Sequence, residues 1–419
     1  VEDGRRSPID AILVRGNGPL KGEIAISGSK NAALPILTAA LLFDGEVRVG
    51  NVPELRDIDT LLKLLGSLGV TAKRSGSSLL LDGTHLTSHE APYDLVRRMR
   101  ASIYVLGPLL ARAGRARVSL PGGCAWGPRP VDLHVQAMQA LGARVDVEHG
   151  YLVAEAPDGG LKGAAISFGI SSVGATCNAL LAAATARGTT VLENAAAEPE
   201  VTVLADFLNA CGASIHGHGT KIISIEGVDR LKPVPFEVIP DRIEVGTFLV
   251  AAAITGGDLT LKGCRADHLA SVVDAIIAMG NDVEVDSHTL RCVGRVPPRG
   301  AHIVTKPYPG FPTDMQAQMM ALACVGSGVS VITDTIYHDR FTHVAELSRL
   351  GADIRLEGNT AVIHPTPDGL SGANVMATDL RASAALILAG LVAEGETKVS
   401  RVYHIDRGYE RIEEKLRSV

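Results

Sequence analysis

One pattern recurs six times along this chain, roughly every 70 residues, and a repeat of that length limits the fold before any single residue is weighed. Each copy opens with a helix of small apolar residues. It then passes a Gly into a Val-rich strand, crosses a polar stretch to a second helix, and closes through a Gly-Ala-type turn into another strand. The first copy reads SKNAALPILTAALLFDGEVRV and then DTLLKLLGSLGVTAK; the third reads SVGATCNALLAAATARGTTVLEN and then TVLADFLNACGASI. The sixth reads LRASAALILAGLVAEGETKVS and then YERIEEKLRSV, where the sequence stops. The leading helix is apolar nearly all round, so it is buried on every side, whereas the second is amphipathic. Strands must therefore surround the leading helices. This predicts an α/β protein of two lobes, three units each, with helices inside and sheets outside.

The chain crosses between lobes at two places. One is near Phe236–Arg242 (FEVIPDR), between the third and fourth units; the other is near Gly28–Asn31, because the strand Ile12–Arg15 precedes the first unit. The expected domains are residues 31–239, and residues 1–30 together with 240–419. A chain of 419 residues is long enough for two such cores. The net charge of −6 argues against a general nucleic-acid binder, which needs excess Lys and Arg to neutralise phosphates. Six cysteines are scattered with no CxxC pair, so neither a zinc site nor a disulfide framework is expected, and a reducing cytoplasm is the default. The N-terminal VEDGRRSPID has no apolar signal-peptide core. Runs such as AALILAGLVA are too short to insert in a membrane.

Each buried helix begins at a polar cluster: Ser29-Lys30-Asn31, Arg100-Ala101-Ser102, Ser171-Ser172, Asp241-Arg242, Thr313-Asp314 and Asp379-Leu380-Arg381. Free amides and the positive dipole end make such termini anion sites. Ser and Asp there are equally well read as plain N-caps. Lys and Arg oppose the dipole, which favours a ligand or a carboxylate partner for them. The loop PGGCAWGPRP, Pro121–Pro130, adds a cysteine and an arginine to a Gly- and Pro-rich segment that is poorly suited to bury a thiol.

Several stretches at these termini carry a resemblance together: SGSKNAALPILTAALL, APYDLVRRMRASI, SLPGGCAWGPRPVDLH, SSVGAT, PDRIEVGTF, FPTDMQAQ, RFTHVAELSRLGA, MATDLRASAALILAG and YHIDRGYERIEEKL. Across nearly the whole chain the sequence resembles the UDP-N-acetylglucosamine 1-carboxyvinyltransferase family of enolpyruvyl transferases. The resemblance implies a two-domain inside-out α/β barrel, six helix-in, sheet-out repeats with three per domain. It places a Cys loop at residues 119–130 and the active site in the cleft between the domains. It implies transfer of the enolpyruvyl group of phosphoenolpyruvate to the 3-hydroxyl of UDP-N-acetylglucosamine with release of phosphate, by addition and then elimination. That reaction is the first committed step of peptidoglycan synthesis and the target of the epoxide antibiotic fosfomycin. No metal or organic cofactor is needed, since acid–base chemistry and electrostatics suffice. A cytoplasmic monomer is implied, without nucleic-acid partner or membrane insertion.

Residue by residue, the resemblance gives Cys124 the proton-transfer and covalent-adduct role toward phosphoenolpyruvate. Lys30, Arg129 and Arg407 match the donor-binding cations, with Asn31 beside them, and Arg340 and Arg381 match cleft arginines facing the phosphate. Guanidinium forks suit planar carboxylate and phosphate, while Lys acts as a point charge. Asp314 matches the carboxylate at the reacting hydroxyl and is the general-base candidate; it doubles as a candidate N-cap. Asp379 matches a second carboxylate, a partner for Lys30 or an aid to proton transfer. Arg100, Arg129, Pro130, Val131, Asp132, Leu133, Ser171, Ser172, Val173, Gly174, Asn31, Asp314 and Ile336 match contacts to the UDP-sugar. Two departures stand out: Ile170 where a basic residue is common, and His338 where an acidic one is common. Two other readings share features with this one. A 5-enolpyruvylshikimate-3-phosphate synthase would have the same donor and repeat, but the PGGC loop and RPVDLH argue against it. A non-catalytic UDP-sugar-binding protein would not need Lys30, Cys124, Arg129, Asp314 and Arg407 together.

Overall fold

The computed structural model describes residues 11–97, 99–120, 131–337 and 339–419. The chain divides into two compact units, Gly28–Ile239 and Val1–Ser27 with Pro240–Val419, called domains A and B below. The expected first cut, after residue 30, falls three residues later than this division. Ser29 and Lys30 go with domain A because Ser29 caps the first buried helix through the Ala32 amide (3.3 Å) and donates its own amide to Ile239 O (2.7 Å). At the cut itself a Cβ on Gly28 would overlap the Asn51 carbonyl oxygen, so only glycine passes there.

Each domain has three sheets around three buried helices, as the repeat implies. Domain A contains α1 (Lys30–Thr38), α2 (Leu106–Ala113) and α3 (Val173–Ala183); domain B contains α4 (Arg242–Thr255), α5 (Gln316–Cys324) and α6 (Leu380–Gly390). Every residue of α5 is buried, and in α4 and α6 only the first residue is not. Their small side chains let helix and sheet approach closely, and each domain has its own apolar core. Four of the six buried helices carry the side-chain N-caps that the polar clusters suggested: Ser29, Ser172, Asp241 and Asp379.

The sheets share one plan. The strand that follows a buried helix pairs in parallel with a short strand and antiparallel with the second strand of a hairpin. In four units the parallel partner is the strand just before the same helix, as with Ala165–Ser167 beside Thr189–Glu193 around α3. In the other two the partners are exchanged. Strand Phe236–Glu237, which leads to α4, pairs with Glu46–Gly50 after α1; strand Lys21–Ala25, which leads to α1, pairs with Asp258–Lys262 after α4. In the sixth unit strand Ala11–Arg15 takes the place of the hairpin against Glu396–Ser400. Among the described residues no helix is long and apolar enough to cross a membrane.

Candidate active site

The start of α5 in domain B gathers three of the expected residues. Asp314 lies in a helical turn, Thr313–Met315, that leads into α5. Its Oδ1 accepts from Arg340 Nη2 and its Oδ2 from Arg381 Nη2, both at 2.7 Å. Burial pushes this carboxyl up, but the guanidiniums of Arg381 and Arg340 outweigh it and hold it well below the usual carboxylate range. Arg381 in turn is pulled above its ordinary value by Asp314, against burial. The N-cap reading of Asp314 is therefore corrected: α5 has no side-chain cap bond, because the carboxylate is committed to two arginines.

Other groups fix this cluster from behind. Asp379 caps α6, accepting from the Arg381 amide (2.8 Å) and the Ala382 amide (3.2 Å), so the residue that binds Asp314 is held at both its ends. The Arg381 guanidinium lies over the Tyr409 ring, 5.5 Å from its centroid. The Tyr409 hydroxyl shares a hydrogen bond with Thr247 (2.8 Å) and accepts one from Gln318 (3.1 Å), which also donates to Asp314 O (3.0 Å). Arg407 lies two residues before Tyr409, at the end of the helical turn Val402–Arg407, which packs on α6. The Ile336 amide donates to the buried Asp334 (2.9 Å). His343 is buried nearby and pushed down to about 4, first by burial and against the opposing pull of Asp379.

Domain A carries the remaining described candidates. Lys30 opens α1 and its Nζ lies 3.1 Å from Asp57 Oδ2, with both side chains nearly inaccessible. Asp379, an expected partner for Lys30, lies in domain B as the N-cap of α6. Asn31 follows in the first turn of α1. Arg100 starts the helical turn Arg100–Val105 that leads into α2. Val131, Asp132 and Leu133 begin the helix Asp132–Ala140, and Ser171, Ser172, Val173 and Gly174 run into α3. These last two segments meet: a Cβ on Gly174 would stand 3.1 Å from His134 Nε2. Asn178 ties them to α2. It accepts from the Gly107 amide (2.8 Å) and donates to Ile103 O and His134 Nδ1 (3.0 Å each). Burial, then Arg100, push His134 down to about 4, so the ring is neutral, with its remaining proton on Nε2 beside Gly174.

Cys124, Arg129 and Pro130, with Trp126 and His338, lie outside the described residues. Ile170 is exposed. The five other cysteines are all buried free thiols, and burial pushes each upward (Cys211 to about 11, Cys292 and Cys324 to about 12), so packing describes them. Asp57, Asp334, Gln318 and Tyr409 were not singled out in the sequence. The one local signal was TDT after a strand, an Asp among Thr residues at a turn. Among the described residues no group of three or more His, Cys, Asp and Glu is placed to hold a metal ion.

Comparison with known proteins gives this arrangement its setting. Residues 14–416 match the family described as EPSP synthase (3-phosphoshikimate 1-carboxyvinyltransferase). The chain belongs to this family of enolpyruvyl transferases. Within it, a Trichlorobacter lovleyi protein named UDP-N-acetylglucosamine 1-carboxyvinyltransferase is 53% identical over 408 residues, 97% of each chain. A protein of the same name from Desulfosudis oleivorans is 54% identical over the same share of both chains. The fold agrees with solved enolpyruvyl transferases. The enolpyruvyl transferase NikO from Streptomyces tendae superposes with a TM-score of 0.87 at 26% identity, covering 97% of each chain. An EPSP synthase from Acinetobacter baumannii gives 0.73 at 18% identity over 95% of this chain and 96% of its own.

Proposed function

We propose that this enolpyruvyl transferase moves the enolpyruvyl group of phosphoenolpyruvate to the 3-hydroxyl of UDP-N-acetylglucosamine and releases phosphate. The observation that carries the reading is the likeness, above half identity and nearly end to end, to relatives bearing that name. The geometry supports it with an ionised, half-buried carboxylate between two guanidiniums at the start of α5. We assign the binding of the donor and of the sugar nucleotide to the residues named below.

In the addition step Asp314 takes the proton of the 3-hydroxyl. The sugar oxygen bonds to C2 of phosphoenolpyruvate, and the methylene carbon receives a proton from the acid, the role given to Cys124. In the elimination step the methyl group returns a proton, the double bond reforms, and the C2–phosphate bond breaks. Lys30, Arg129, Arg340, Arg381 and Arg407 balance the carboxylate and phosphate charge. While Arg340 and Arg381 grip Asp314 it is a weak base. A donor phosphate that competes for those guanidiniums raises its basicity when the donor arrives. Arg100, Val131–Leu133 and Ser171–Gly174 are assigned to the sugar nucleotide, where the free amides at the start of α3 serve as donors.

On this reading the protein serves the first committed step of peptidoglycan synthesis, as a cytoplasmic monomer open to fosfomycin. A phosphate-release assay tests it. Phosphate should appear with phosphoenolpyruvate and UDP-N-acetylglucosamine together and with neither alone. Release with shikimate 3-phosphate in place of the sugar nucleotide would favour the synthase reading. Tight sugar-nucleotide binding without release would favour a non-catalytic binder.

A further inference from the structure

Behind the Asp314–Arg340 pair stands a second carboxylate to which the functional reading assigns nothing. Asp334 follows strand Ser330–Thr333 and is fully buried. Its Oδ2 accepts from the Thr313 hydroxyl (2.6 Å), and Thr313 Oγ1 accepts from Arg340 Nη1 (2.9 Å). The direction of this relay is fixed by chemistry: a guanidinium can only donate, so the Thr313 proton is turned toward Asp334. Asp334 Oδ1 accepts from the Thr305 hydroxyl (2.8 Å) and from the amides of Ile336 (2.9 Å) and Tyr337 (3.0 Å). Its backbone is held on both sides by Asn359. Arg340 is thus gripped twice, by Asp314 at Nη2 and through Thr313 by Asp334 at Nη1.

We infer that Thr313 and Asp334 are positioning residues that hold Arg340 in place independently of the charge on Asp314. The inference rests on the proposed roles of Asp314 as base and Arg340 as a phosphate partner. When Asp314 takes the hydroxyl proton it loses the charge that holds Arg340. The phosphate needs a stationary cation from that moment until it leaves. The Thr313 relay to Asp334 does not change as Asp314 titrates, so the guanidinium keeps its orientation through both steps. The same Asp334 carboxylate sets the Ile336–Tyr337 turn, so the donor side and the sugar-nucleotide side share one anchor.

Steady-state phosphate release by the full chain, with each substrate varied in turn, tests this on Thr313→Ser and Thr313→Val, with thermal melting alongside. The serine variant keeps the relay and should stay near wild type for both substrates. The valine variant keeps the volume and loses both bonds. Its KM for phosphoenolpyruvate should rise about tenfold, the size of one lost hydrogen bond to a charged group, with KM for UDP-N-acetylglucosamine unchanged. Thr313→Ala is read the same way if the valine variant does not fold. A valine or alanine variant that matches the serine variant, or that raises both KM values equally, would overturn the inference while wild-type turnover left the functional reading standing. No phosphate from the wild type would overturn that reading and this inference with it.

Discussion

Asp314 is held at 2.7 Å by two arginines that lie 26 and 67 residues further along the chain. Asp314→Asn should lower kcat by about two to four orders of magnitude, the usual contribution of a positioned acid or base, with the fold retained on melting. The same pair makes a stability statement. The native carboxyl sits below its unfolded value, so its contribution is complete above about pH 4 and is lost as pH falls further, through the native value. Urea unfolding of wild type and Asp314→Asn from pH 6 to pH 3 should therefore show a gap that closes on the acid side. On the proposed role of Cys124, Cys124→Ala should abolish covalent capture of fosfomycin by mass spectrometry; capture that persisted would point to another cysteine. The position of Asp314 was legible in FPTDMQAQ, but its partners were not. A carboxylate before a helix looks the same in sequence whether it caps the helix or meets distant guanidiniums, and only tertiary packing separates the two.

At the scale of elements, the final helix Ile412–Arg417 is a clasp on domain B. Lys415 Nζ donates to Glu244 Oε1 (2.6 Å) on α4 and to Ser27 Oγ (2.8 Å), and the Ser27 amide donates to Glu244 Oε2 (2.7 Å). Burial pushes Glu244 up to about 7, even with Lys415 pulling the other way, so its charge depends on this partner. Lys415→Met should cost about 3 kcal/mol in chemical unfolding by leaving a buried carboxylate alone, and the double variant with Glu244→Met should recover most of it. RIEEKL reads in sequence as an exposed, salt-bridged helix. Its true role depends on Glu244 and Ser27, which are 171 and 388 residues away. The buried helices were far easier to read, because a segment such as FLVAAAIT has no polar face to offer water.

For the whole molecule, the exchanged strands make domain A complete within Gly28–Ile239, since Phe236–Glu237 supplies the parallel strand of its first sheet. A fragment of residues 28–239 should melt in one cooperative transition. A fragment of residues 28–233 should melt several degrees lower, having lost that strand and the Asn51 bond to Val238 O (2.8 Å). The six repeats and their three-plus-three division could be read from periodicity and glycine spacing. The exchange could not, because a two-residue strand has no period and nothing in FEVIPDR says which sheet it joins. What the two domains do together rests on the chemistry, and the product is its most direct record. Incubation with phosphoenolpyruvate, UDP-N-acetylglucosamine and shikimate 3-phosphate in one vessel should yield, by mass spectrometry and NMR, UDP-N-acetylglucosamine bearing an enolpyruvyl ether at its 3-oxygen and unchanged shikimate 3-phosphate. An enolpyruvyl group on the shikimate, or no transfer to either acceptor, would contradict the account.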